Sequence, residues 1–122
     1  MEMQIKIQKI YLDIINQVFE IEKKVEQLQE LNSIQRNLNR LKEILENETI
    51  MQPDGQSAGL IYHNPIGEDF DETRTDCEAS IAGTSTQNLQ IKEVIKPIIR
   101  FKSGGINMIV QKAVVVVESK SI

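Results

Sequence analysis

Apolar residues in the first part of the chain recur at alternating steps of three and four. Tyr11, Ile14, Val18, Ile21, Val25 and Leu28 fall on one line of a helix, which is the pattern of a coiled-coil seam. Extending that register brings Asn32 and Gln35 to the seam, while the apolar positions return one residue early as Leu31, Ile34, Leu38, Leu41 and Leu45. Two readings stay open. One is a continuous helix carrying a local stammer. The other is a helix that stops near Asn32, with a second starting from Asn32 or Ser33 as its N-cap. The adjoining Asn and Ser where the seam changes argue for a break near residues 32–33. Residues 2–48 contain neither Gly nor Pro and are rich in Glu, Gln, Lys, Leu and Ile, so either reading makes the stretch helical.

From Pro53 onward the pattern changes. All three prolines and all six glycines fall in this half, together with four consecutive valines at 114–117. Residues 58–63 and 78–83 read as short strands. Residues 89–102 are rich in Ile and Val and alternate in places. Ser103, Gly104 and Gly105 then make a turn, and 106–118 returns as the second arm of a hairpin. Pro97 has no amide donor and marks an edge or a bulge in its strand. Valines 114–117 point to both faces, as in a strand covered on both sides. The expected organisation is α+β: a helical arm over 1–50, a linker at 51–59 and a small, mostly antiparallel β head over 60–122.

Length turns the seam into a prediction about assembly. One unbroken helix over 2–48 would be roughly 70 Å long at about 1.5 Å per residue, and such a helix cannot bury its own stripe. Burial is worth about 1.5–3 kcal/mol per large aliphatic side chain, which a second copy supplies most simply. The expectation is a homodimer joined along Tyr11, Ile14, Val18, Ile21, Val25 and Leu28. A monomeric hairpin folded at 32–33 is the alternative.

Composition narrows the function classes. The 122 residues include 14 basic and 18 acidic side chains, for a net charge of −4, without the basic stripe of nucleic-acid binders. Nothing resembles a secretory signal, and no run reaches the roughly 18 apolar residues of a membrane span. A single cysteine, Cys77, fits a reducing compartment, so the expectation is a cytoplasmic protein.

Candidate chemistry is sparse. The segment GEDFDETRTDCE, residues 67–78, holds six carboxylates and Arg74. Asp69, Asp71 and Thr73 match the first ligand positions of a calcium loop, but Arg74 stands where that loop needs Gly and Ser80 where it needs Glu. The match fails, leaving an acidic surface able to steer a basic partner. Nothing in the sequence places His63, the only histidine, beside Cys77, and no third residue orients them as a nucleophile–base pair. Both read as structural, and no catalytic set, metal site or cofactor site emerges. Binding is the expected class, without enzymatic activity.

The chain resembles the GrpE family, the nucleotide exchange factors of DnaK-type chaperones. The resemblance lies in the order of elements and in two stretches. In NPIGEDFDETRTDCEASIAG, residues 64–83, Pro65, Phe70-Asp71 and Glu78-Ala79 look like the family's proline, Phe-Asp and Glu-Ala before a strand. NLQIKEVIKPIIRFKSGGINMIVQKAVVVVE, residues 88–118, looks like its terminal hairpin. The similarity covers roughly 38–118. Departures are Cys77 where the family has the His of His-Glu-Ala, Ile98-Ile99 for Gly-Tyr, and Gln111-Lys112-Ala113 for Arg-Pro-Ala. The resemblance implies a homodimer whose β head wedges against a chaperone's nucleotide-binding domain and speeds ADP release. The contacts it implies lie at the hairpin tip and flanks: Phe101, Lys102, Gly104, Gly105, Asn107 and Met108. The other reading is a dimeric scaffold whose head binds an unrelated protein.

Overall fold

The structure, a computed structural model, describes residues 9–28, 32–48, 50–51 and 57–120. Residues 1–8, 29–31 (with the seam residue Leu31) and 49 of the expected arm, 52–56 of the expected linker and 121–122 of the expected head lie outside the described residues.

The long coiled-coil helix read from the seam is corrected by the structure. Among the described residues, two helices of 17 residues, α1 (Lys9–Val25) and α2 (Asn32–Glu48), accompany eight strands in two sheets, and the fold is mainly β. The physical reason lies in α1, which carries two apolar stripes. Tyr11, Ile15, Val18 and Val25 follow the 3.6-residue period of a straight helix, with Phe19 beside them. Of these, Ile15, Val18, Phe19 and Val25 are buried in the chain's own core. Ile10, Ile14 and Ile21 form a second, exposed stripe, continued by Leu28, exposed in the turn just past the end of α1. The heptad seam drew members from both stripes. The inward stripe is satisfied intramolecularly, so its burial requires no second copy.

The first sheet, in the order β1-β2-β6-β7, contains β1 (Ile50–Met51), β2 (Ser57–His63), β6 (Ile98–Ser103) and β7 (Ile106–Gln111), all antiparallel. The second, β3-β5-β8-β4, contains β3 (Asp69–Phe70), β5 (Leu89–Lys96), β8 (Ala113–Ser119) and β4 (Cys77–Ile81). Here β4 runs parallel to β8 while the other pairs are antiparallel. One long hairpin crosses both sheets. Its outgoing arm leaves the second sheet at Pro97 and enters the first, and its return arm crosses back at Lys112. Proline suits the crossing because it has no N–H to contribute to either ladder. Immediately after it, Ile98 and Ile99 point to opposite sides, and each enters a different core cluster.

The first cluster joins Ile15, Val18 and Val25 of α1 and Leu38 and Leu45 of α2 to Ala58, Leu60, Ile99 and Phe101. The second gathers Cys77, Leu89, Ile91, Val94, Val115 and Val117 around Phe19. Tyr62 packs against both clusters and meets Phe19 edge-on, with ring centroids 6.1 Å apart. The central strand β8 buries Val115 and Val117 and half-buries Val114 and Val116, the pattern of a strand with neighbours on both faces. Among the described residues no helix is long and apolar enough to cross a membrane.

Candidate protein-binding surface

The β6–β7 hairpin carries its turn and several of its flanking residues at the surface. Its two-residue loop is Gly104-Gly105, closed by the pair Ser103 and Ile106. Gly104 has φ of 57°, which places glycine at the first central position of a type II′ turn. Lys102, Gly104, Gly105 and Asn107 are exposed, and Met108 is half-buried. Phe101 departs from the expected contact set: at 1% exposure it belongs to the first core cluster. Its place in an alternating strand explains this, since Phe101 pairs with Leu60 of β2 on one side and Met108 on the other. Lys102 points oppositely and reaches Glu46 of α2 at 3.1 Å.

Of the expected seam, Val18 and Val25 are buried and Tyr11 is partly buried against the first cluster. Ile14 and Ile21 are each 46% exposed and Leu28 is 50% exposed. The structure therefore does not bring the six together on one face.

Polar ties fix the helices to the sheets. Glu22 accepts a hydrogen bond from the Tyr62 hydroxyl at 3.0 Å and another from Lys42 of α2 at 3.1 Å. Burial, and then the Glu22 carboxylate, push the Tyr62 phenol well above its ordinary value. Asn16 and Gln111 exchange two amide hydrogen bonds of 3.1 and 3.0 Å, and Gln111 also donates to the Pro97 carbonyl at 3.0 Å. Lys23 donates to the Val94 carbonyl at 3.1 Å. The sequence did signal one of these, because Glu22 falls in line with Val18 and Val25 and so interrupts the inward stripe. The amide pair gives no comparable signal.

The acidic segment is braced by Arg74. This side chain donates to Glu68 at 2.8 Å, to Asp76 at 2.6 Å and to the Asp69 carbonyl at 3.1 Å. Glu68 also bonds His63 Nε2 at 2.5 Å, while Arg100 approaches Asp76 at 3.7 Å. Asp71 accepts from both the amide and the hydroxyl of Thr73, making a local Asx turn. Burial pushes the Glu68 and Asp76 carboxyls up. Hydrogen bonds from Arg74, joined at Glu68 by His63, outweigh it and hold both below the usual carboxylate range.

Little reactive chemistry follows from this arrangement. His63 is engaged with Glu68. Burial pushes the Cys77 thiol up to about 11, against the attraction of Arg74, so the nucleophilic thiolate is scarce at neutral pH. Among the described residues no group of three or more His, Cys, Asp or Glu is arranged to hold a metal ion. A cleft of about 100 Å³ between α2 and β2, lined by Lys42, Leu45, Glu46, Leu60, Ile61 and Tyr62, is small beside the roughly 300–1,000 Å³ of ordinary ligand pockets. Comparison of the chain with protein-family models, curated proteins and solved structures finds no match.

Proposed function

We propose that the chain is a non-enzymatic co-chaperone similar to the GrpE family, which binds the nucleotide-binding domain of a DnaK-type chaperone and promotes ADP release. One observation carries the reading. The two stretches that bear the resemblance, 64–83 and 88–118, meet in a single sheet, with Cys77 to Ile81 in parallel register with Ala113 to Val117. Two separated pieces of family-like sequence folding against one another support a shared head architecture better than either piece alone. The departures at Ile98 and Ile99 fall in the core, and Gln111 is used to hold α1. They therefore alter packing and leave the exposed hairpin tip free to serve as the contact.

The mechanism in this reading is mechanical. The hairpin favours the open state of the chaperone's nucleotide-binding domain, in which ADP is held less tightly. The acceleration is limited by the hairpin's differential affinity for the two states. Lys102, Gly104, Gly105, Asn107 and Met108 are the contact residues. Release of a fluorescent ADP analogue from a DnaK-type chaperone should quicken several-fold when the protein is added. Lys102→Glu with Asn107→Lys should abolish the effect and leave the thermal midpoint nearly unchanged. No acceleration and no binding would overturn the proposal. The exposed stripe Ile10, Ile14, Ile21 and Leu28 favours a second reading, a homodimeric scaffold whose head binds an unrelated protein.

A further inference from the structure

The four sheet edges are not equally protected. The edge strands β1 and β3 are two residues each, and β4 is five residues long with an exposed Glu78. β7, Ile106–Gln111, has six residues, INMIVQ, without charge or proline. It ends the order β1-β2-β6-β7, and among the described residues no strand pairs with its outer side. Short length, charge and proline are the usual devices that keep an edge from acquiring another strand. β7 has none of the three; the bulge in its ladder, where Ile99 faces Gln111 and Arg100 faces Ile109, lies at Val110 and leaves Ile106–Ile109 regular.

The register shows which groups the edge offers. The two-residue loop makes Ser103 and Ile106 a hydrogen-bonded pair, and such pairs alternate along an antiparallel ladder. Lys102–Asn107 and Arg100–Ile109 are consequently the non-bonded pairs. The N–H and C=O groups of Asn107 and Ile109 thus point away from β6, off the sheet. These are the donors and acceptors that an extended backbone satisfies by strand addition.

Charge around the edge selects the occupant. Although the chain is net negative, the charged residues flanking β7 are basic: Arg100 and Lys102 across the ladder, and Lys112 at its end. Arg100 and Lys102 have carboxylate neighbours in Asp76 and Glu46. Lys112 is exposed. β7 contains no acid, so pairing with a second β7 would bring no carboxylate beside Lys112.

We infer that β7 is a strand-addition site for an extended segment of a partner protein, antiparallel to β7, apolar at alternate positions and carrying a carboxylate beside Lys112. The inference does not depend on the partner being a chaperone. The probe is a short synthetic peptide of alternating valine and threonine led by glutamates, titrated into the isotope-labelled chain. Amide resonances of Asn107 to Lys112 should shift. Ile109→Pro should weaken binding at least tenfold, because it removes an outward N–H and leaves the β6 ladder intact. Lys112→Glu should weaken the glutamate-led peptide several-fold and strengthen a lysine-led one. Two singly N-methylated peptides, offset by one residue, provide a check on the unaltered protein: one should lose binding at least tenfold and the other should keep it. Absence of binding, shifts mapping away from β7, equal binding of the two methylated peptides, or dimerisation of the free chain through β7 would each overturn the inference.

Discussion

Gly59 stands where α2 crosses β2, and a methyl group built there would lie 1.4 Å from the carbonyl oxygen of Glu46. The contact is with backbone, so no rotamer change relieves it, and the helix itself must move. Gly59→Ala should therefore cost more than about 3 kcal/mol, at the severe end of overpacking, read as a loss of denaturation midpoint. An unchanged midpoint would mean that α2 does not press on β2 in this way. Tyr62 makes a second prediction. Its phenol titrates near pH 10 in the unfolded chain and well above that when folded. Above pH 10 the folded state holds a proton that the unfolded state has released. The stability contribution is full below pH 10 and is lost as pH rises through the folded value. Tyr62→Phe should cost about 1 kcal/mol at neutral pH, for the lost hydrogen bond to Glu22. That difference from the parent should shrink above pH 10. Urea denaturation of both proteins at neutral and alkaline pH measures it.

The segment from Asn64 to Asp76 shows how one side chain organises an element with little regular structure. Arg74 ties Glu68, Asp69 and Asp76 together, and the depressed carboxyls of Glu68 and Asp76 give that tie a pH signature. The folded state releases these protons at lower pH than the unfolded state does. The stabilisation is accordingly present above about pH 4, the unfolded carboxylate range, and is lost as pH falls through the folded values. Arg74→Gln should cost only about 1 kcal/mol at neutral pH, because the pairs are still reached by water, most of all at the half-exposed Glu68. The gap from the parent should close on acidification below about pH 4, and a gap independent of pH would contradict the assignment. Such ties were not legible in the sequence, which showed an acidic run and nothing of what Arg74 touches. The long hairpin was legible, because alternation, Pro97 and Gly104-Gly105 all reported the same local geometry. β1 and β3, at two residues each, are too short to leave a pattern. The helical stripe was legible as apolar but not as to its partner, since Ile14 and Ile15 stand side by side and only the sheet decides which turns inward.

At the scale of the whole molecule, that choice leaves α1 two-faced, and its two faces make opposite predictions. Ile15 is wholly buried between helix and sheet, so Ile15→Ala should cost about 2–5 kcal/mol and lower the thermal midpoint at every protein concentration. Ile14 and Ile21 are nearly half exposed, so charges there should barely affect the fold of a single chain. If two copies meet along Ile10, Ile14, Ile21 and Leu28, light scattering at micromolar concentration should give about twice 13.9 kDa. Ile14→Asp with Ile21→Asp should then reduce the mass to that of one chain, since an unpaired buried charge opposes association. The circular dichroism of the resulting monomer should remain that of a folded protein, because the stripe that holds α1 to the sheets is the other one. A parent mass of one chain, or a doubled mass unaffected by both aspartates, would exclude assembly along this face. Loss of fold together with mass would mean that the outward stripe is core after all.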